Sequence, residues 1–482
     1  MFKGDEHVVT RSTMASVLVL DRVPTWDRLV EAFDRGSRLH TRLRERIVTP
    51  LLPIGRPQWY GDPDFDLNYH LRRISLASPG TDRQLLDMVV PLVMSPLDRL
   101  RPLWEATLVE GLDGGRAALV LKAHHALTDG LGGVEMLRSL LNLHRDDRPS
   151  MPPQPAPHDI TPADLTRSLA QALPRKALDG VEQLLPAARS ILANPSRAAS
   201  GAVRAVSQMK SLLGAPPVAP SPLMRRRGLG RRITVLEIPL ADMKAAGKVV
   251  AGSVNDVYLA ALGGALRRYH DECGVHVDAV PAAVPVSIRS DADRPDSNQW
   301  TGVRLALPVA EVDPLERVRL VGQAMSDARD QMAPSMTGTM SSLLSMMPGA
   351  LLARLASSGS ATDVQASNIP ASPVPLYLAG AELTAIYGCG PLPGQAMMAV
   401  MASYRGTCFL TVNYDTAAIT DAALFDRCLR AGFDEFRQRP PAKKAVAKKA
   451  PAKKAVAKKA PAKNAAPASV GSLRLPAKKG SQ

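Results

Sequence analysis

Residues 117–142 read AALVLKAHHALTDGLGGVEMLRSLLN. The segment Arg116 to Ala123 has the pattern of a β-strand, and Gly130 to Asn142 has the pattern of a helix. Between them lies His124-His125-Ala126-Leu127-Thr128-Asp129-Gly130, an HHxxxDG sequence at the point where a strand would hand over to a helix. Neighbouring residues of a strand face opposite ways, so one imidazole can point into a cleft while the other anchors the turn. Neutral imidazole suits the removal of a proton from a hydroxyl, because its pKa lies close to the working pH. Asp129 can turn back to hold the loop by pairing with an arginine, and Gly130 permits a tight turn into the helix. A zinc site would require further His, Cys or carboxylate groups at ligand spacing, and none is nearby in the sequence, so no metal is expected.

Working outward, TMASVLVLD (residues 13–21) reads as a strand. A helix follows, with Trp26, Leu29, Val30 and Phe33 on one apolar face. Leu103 to Glu110 pairs naturally with Arg116 to Ala123 around Asp113-Gly114-Gly115. RPSMPPQPAP and GAPPVAPSP bracket a helical stretch from about Pro162 to Leu213, as a linker or crossover would. A second alternating block contains ITVLEIPL, a helix from Val254 to Tyr269, AVPVSI and VRLALPV. It continues with two strands joined at Arg405-Gly406 and a closing helix, DAALFDRCLRAGFDEF. The pattern predicts a mixed α/β protein with a cleft between two similar halves. Its parts would be 1–147, a linker 148–230, a second domain 231–440 and a tail 441–482.

Twelve of the fifteen net positive charges belong to that tail, which holds eleven Lys, one Arg and no acid. PAKKAVAKKA occurs twice in succession there, and Lys pairs with small residues cannot build a core, so disorder is expected. The remaining body is nearly neutral. The cluster Arg225-Arg226-Arg227 with Arg231-Arg232 reads as a solvated linker, with contact to anionic lipid or phosphate groups as the alternative. Aromatics are only 4% of the chain, which disfavours a nucleic-acid reader built on base stacking. Cys273, Cys389, Cys408 and Cys428 show no CxxC pair and read as reduced thiols. No run of apolar residues is long enough for a membrane span, and MFKGDEHVVTR has no signal-peptide core, so a cytoplasmic location is expected.

Several motifs together carry a resemblance. HHxxxDG resembles the coenzyme-A-dependent acyltransferase superfamily, which includes chloramphenicol acetyltransferase and peptide-synthetase condensation domains. Pro102-Leu103-Trp104 is similar to the PLW motif of the bacterial wax ester synthase/diacylglycerol acyltransferases. Asn255-Asp256-Val257-Tyr258-Leu259-Ala260 is similar to their NDVVLA motif. DPDFDLNYHL (62–71), Pro285-Val286-Ser287-Ile288-Arg289 and Ser367-Asn368-Ile369-Pro370 match further family segments in the same order. The resemblance spans about Ser12 to Phe436. Two departures stand out. Only MFKGDEHVVTR precedes the first strand, where the family has a longer segment with Ser-x-x-Asp, which reads as either a shortened N-terminus or a misassigned start. The Lys/Ala/Pro tail is instead similar to the tails of actinobacterial histone-like proteins and linker histones.

The resemblance implies two chloramphenicol-acetyltransferase-like domains forming a pseudo-dimer, with a tunnel at their interface. Acyl-coenzyme A would enter as co-substrate with no bound cofactor, and diacylglycerol or a fatty alcohol would be the acceptor. His125 would act as general base without a covalent acyl-enzyme, with His124 and Gly130 completing the motif. Asp129 would be structural, with Arg289 as its ion-pair partner. Ser367 and Asn368 are candidate oxyanion donors. Asn255 is expected to cap its helix, and Trp104 to serve the core or the substrate. A different acceptor on the same fold, or a protein tethering lipid droplets to DNA, are the competing readings. An anionic membrane or lipid-droplet surface is the expected partner, with nucleic acid open to the tail.

Overall fold

Two six-stranded sheets organise the protein. The computed structural model describes residues 11–52, 56–127, 130–172, 217–287, 300–330 and 362–437. The chain divides into two units, Met1–Gln438 and Arg439–Gln482, and the sheets belong to the first.

The first half opens with β1 (Thr13–Leu20) and α1 (Trp26–Leu39), followed by the short pair β2 (Glu45–Val48) and β3 (Gln58–Gly61). Next come α2 (Leu67–His70), β4 (Leu71–Ser75), α3 (Asp82–Met94), β5 (Trp104–Glu110), β6 (Ala117–His124) and α4 (Gly130–Leu140). A helix over residues 162–172, α5, follows the proline-rich break. The second half contains β7 (Arg231–Pro239), α6 (Leu240–Val249), α7 (Val254–Glu272), β8 (Ala279–Ser287), β9 (Trp300–Pro308) and α8 (Pro314–Asp330). It ends with β10 (Val364–Ser372), β11 (Tyr377–Leu378), β12 (Ala381–Cys389), β13 (Met397–Tyr404), β14 (Thr407–Asp415) and α9 (Ala422–Asp434).

The first sheet runs β11-β12-β1-β6-β5-β4, and the second runs β7-β14-β13-β10-β8-β9. Sheet membership therefore crosses the boundary drawn at residue 231. β12 leaves the second half and pairs antiparallel along β1, from Ala15 opposite Cys389 to Leu20 opposite Leu383. An uncovered β1 would expose a row of backbone donors and acceptors beside the fully buried strand β6, and β12 removes that edge. Arg83 Nη1 of the first half donates to Ile233 O of the second at 2.7 Å, and the Tyr387 hydroxyl of β12 donates to Glu237 Oε1 of β7 at 3.1 Å, which ties the two sheets.

Each sheet has its own core. Phe33 and Leu29 of α1 pack with Leu18, Leu108 and Trp104 in the first. In the second, α7 is buried almost all round, because it lies against both α8 and α9. Gly263 and Gly264 permit that packing. A Cβ on Gly263 would come within 2.5 Å of Pro308 O, and one on Gly264 within 2.6 Å of Arg317 Nη2. Among the described residues, no single helix is long and apolar enough to cross a membrane.

Candidate functional site

The last residue of β6, His124, pairs with Thr13 at the start of β1. It is 2% exposed. The Ala126 amide donates to its Nδ1 at 2.9 Å, which leaves the ring proton on Nε2. His124 thus anchors the turn, one of the two roles expected of the pair. His125 begins the turn and is half-buried. Its amide donates to Ser12 O at 2.8 Å, and the His124 amide donates to Leu103 O at 3.0 Å. The turn is therefore held from both neighbouring strands. Helix α4 starts at Gly130 as expected, while Asp129 and Arg289 lie outside the described residues.

The PLW segment supports this turn from below. Leu103 supplies the carbonyl that holds His124, and Pro102 O accepts from the Trp104 amide at 2.8 Å. Trp104 itself is 1% exposed, its indole N–H bonds Leu43 O at 2.8 Å, and it stacks on Phe33. It packs in the core of the first sheet. Stacked on its other side is His70, with ring centroids 4.5 Å apart. His70 Nδ1 lies 2.7 Å from Trp104 O, and since a carbonyl only accepts, Nδ1 donates. His70 lies within the quoted DPDFDLNYHL segment, but its spacing alone assigns it no role.

His70 and His270 are both buried, and loss of hydration holds each below the ordinary imidazole value. His270 donates from Nδ1 to Leu266 O at 2.8 Å and accepts the Ser221 hydroxyl at Nε2 at 2.7 Å. In the unfolded chain such rings titrate near about 6.5. Folding favours their neutral form, so the associated stability is complete above that value and is lost as the pH falls through it toward the folded values. The melting temperature is therefore expected to drop between about pH 7 and 5.5. Calorimetry across that range checks this, and a rise on acidification would contradict it.

A cavity of about 60 Å³ lies between the halves. Arg11 and Thr13 line it from the start of β1, Val90, Val93 and Met94 from α3, and Ile233, Leu392 and Asn413 from the second half. Ser12, which holds the His125 amide, sits between Arg11 and Thr13. The lining is largely apolar, with a few polar groups.

From the second half, β10 approaches α4. β10 pairs with β13 along its length but meets β8 only at Val364 and Gln365, so the sheet forks beyond them. Ser367 and Asn368 are half-buried and stand in the forked stretch. The expected role of Asn255 as a helix cap is not observed. Ser253 is the N-cap, and Asp256 closes a capping box by accepting from its amide at 2.8 Å and its hydroxyl at 2.7 Å. The S-x-x-D spacing carried that signal, because the reciprocal bonds require the acceptor three residues on. The arginine cluster is also only partly solvated. Arg227 reaches Asp363 at 3.1 Å and Arg231 reaches Asp415 at 3.1 Å, and both carboxylates are buried.

Residues 1–258 match the family model described as the wax ester synthase/diacylglycerol acyltransferase catalytic domain, and residues 297–437 match the C-terminal domain of the same family. The chain belongs to this acyltransferase family. A Mycobacterium tuberculosis (strain H37Rv) protein provisionally named a diacylglycerol O-acyltransferase is 44% identical over 90% of this chain and 89% of its own length. The wax ester synthase/diacylglycerol acyltransferase of Marinobacter aquaeolei VT8 shares the fold, with a TM-score of 0.59 and 22% identity over 88% of this chain and 94% of that one. The first condensation domain of the CDA synthetase also shares it, with a TM-score of 0.55 and 18% identity over 90% and 93% of the two chains. The two sheets of this acyltransferase are thus those of the condensation-domain architecture.

Proposed function

We propose that the protein transfers a long-chain acyl group from coenzyme A to the hydroxyl of diacylglycerol, and to long-chain alcohols as alternative acceptors. His125 takes the hydroxyl proton as the oxygen attacks the thioester carbon. The tetrahedral intermediate then collapses, the carbon–sulfur bond breaks, and coenzyme A leaves as the thiol with the proton returned by the imidazole. No bond forms between enzyme and acyl group. The observation that carries this reading is the division of labour in the His pair. His124 is buried with its Nδ1 engaged by the turn, whereas His125 is half-buried beside the segment that lines the inter-half cavity. Ser367 and Asn368 remain the candidate donors to the oxyanion, on the strand that α4 approaches. The test offers palmitoyl-coenzyme A with diacylglycerol or hexadecanol and follows thiol release. Absence of acceptor-dependent release would reject the proposal.

Asp129 is assigned to holding the loop, with Arg289 as its partner. Asp129→Asn and Arg289→Met should each lower turnover, and the double variant should lose less than the sum of the two effects. Independent, additive losses would separate the two residues.

The tail is assigned to an anionic lipid surface at the inner membrane or lipid droplets, consistent with a lipid substrate and nine lysines between Lys443 and Lys463. Each contributes about 1 kcal/mol near such a surface before discounting. Deleting residues 443–482 should leave turnover on a soluble substrate nearly unchanged and weaken salt-sensitive flotation with anionic vesicles. Loss of DNA gel-shift instead would assign the tail to nucleic acid.

A further inference from the structure

Helix α3 carries Val90, Val93 and Met94 on the wall of the inter-half cavity. Its C-terminal end is held by two cations that come from the segments flanking the His pair. Arg11 Nη1 donates to Met94 O at 2.8 Å, and Arg11 lies one residue before Ser12, whose carbonyl holds the His125 amide. Lys122 donates to the Ser95 hydroxyl at 2.9 Å, and Ser95 is the residue that ends α3. Lys122 lies on β6 two residues before His124, so both side chains leave the same face of the strand. It is 3% exposed.

A buried lysine in a hydrophobic sheet is costly, and a structural need for it is not evident from the sheet itself. Its β6 neighbours Val120 and Leu121 are apolar, and the register places it between Ala15 on β1 and Glu105 on β5. Glu105 Oε2 lies 3.4 Å from the ammonium, and its Oε1 lies 3.3 Å from Arg72. Burial pulls the Lys122 ammonium below its ordinary value, and Glu105 opposes that shift. Cations at a helix C-terminus complement its partial negative charge. The result is a rigid strut from the His strand to the end of the helix that shapes the cavity.

We propose that Lys122 is a positioning residue that sets the acyl-chain fit of the cavity through Ser95 and α3, without touching the reacting atoms. This rests on the acyl-transfer reading above. It predicts a split between binding and chemistry. When the strut is removed, the wall formed by Val90, Val93 and Met94 is free to shift, while the turn that presents His125 keeps its ties to Ser12 and Leu103.

The test compares kcat and KM for a series of acyl-coenzyme A substrates of increasing chain length in wild type, Lys122→Met/Glu105→Gln and Ser95→Ala. The double variant removes both buried charges together, so neither is left uncompensated. Ser95→Ala removes one hydroxyl, which also donates to Leu92 O at 2.9 Å, and leaves the Lys122–Glu105 pair in place. Expected is a KM about tenfold higher in the double variant and about threefold higher in Ser95→Ala. The chain-length preference should flatten in both, and kcat on the preferred substrate should stay within about threefold. An unchanged KM and chain-length profile in Ser95→Ala or in the folded double variant overturns the proposal. So does a fall in kcat with KM unchanged. Wild-type turnover on the same series tests the acyl-transfer reading separately, so failure of one is distinguishable from failure of the other.

Discussion

His125→Ala is expected to lower acceptor-dependent coenzyme A release by about 10²–10⁴-fold while the protein stays folded. The imidazole supplies the base, and its loss leaves the hydroxyl to ionise unaided. Folding should survive because the His125 amide, which donates to Ser12 O, is a tie that the substitution leaves in place. His124→Ala should behave differently. It removes the acceptor for the Ala126 amide within a turn anchored by a ring that is 2% exposed, so stability should fall by about 1–3 kcal/mol. Circular dichroism and thermal melting of both variants alongside turnover checks the contrast. A folded His125→Ala protein with near-normal turnover would remove His125 from the chemistry.

The second large effect concerns the second half of the molecule and is structural. Arg317 on α8 is fully buried. Its Nε donates to Ala260 O of α7 at 2.8 Å, its Nη1 donates to Glu311 O at 2.8 Å, and its Nη2 pairs with Glu435 just beyond α9. Arg268 holds the other oxygen of Glu435 at 2.7 Å. One guanidinium thus links three helices that cover the second sheet. Arg317→Met should destabilise by about 3–5 kcal/mol, because it strands two carbonyls and leaves a carboxylate that is only partly compensated by Arg268. Denaturant titration measures this directly. A loss below about 1 kcal/mol would mean the network relaxes onto water or Arg268. Turnover of whatever fraction remains folded should be nearly normal, since none of these groups borders the inter-half cavity.

Much of the architecture could be read from local patterns, and the exceptions share a physical cause. The strand-turn-helix around the His pair was legible because hydrophobic periodicity and a glycine coincide there. The Arg405-Gly406 hairpin was legible for a related reason. Both residues adopt left-handed backbone conformations, with φ of 48° and 81°, which suits a two-residue turn between twisted strands. By contrast, β12 lies in the second half of the sequence, and nothing local says that its partner is β1, more than 360 residues away. Pairing at that distance depends on the whole fold. The arginine cluster was misread in the same way. Arg227 and Arg231 carry no label in the sequence that separates a solvated arginine from one seated on a buried carboxylate, because the partner is remote in the chain. Of the candidate site, the His pair and the PLW carbonyl were brought together, and β10 came to α4. The helix cap moved from Asn255 to Ser253, where the capping-box spacing puts it.

The most direct measurement is product stoichiometry under single-turnover conditions. Purified protein in excess is mixed with labelled palmitoyl-coenzyme A and diacylglycerol, and free thiol, triacylglycerol and protein-bound label are quantified at early times. Direct transfer through His125 predicts one triacylglycerol per thiol at every time point, with no label on the protein. A covalently labelled protein that precedes product, or thiol released as free fatty acid instead of ester, would contradict it.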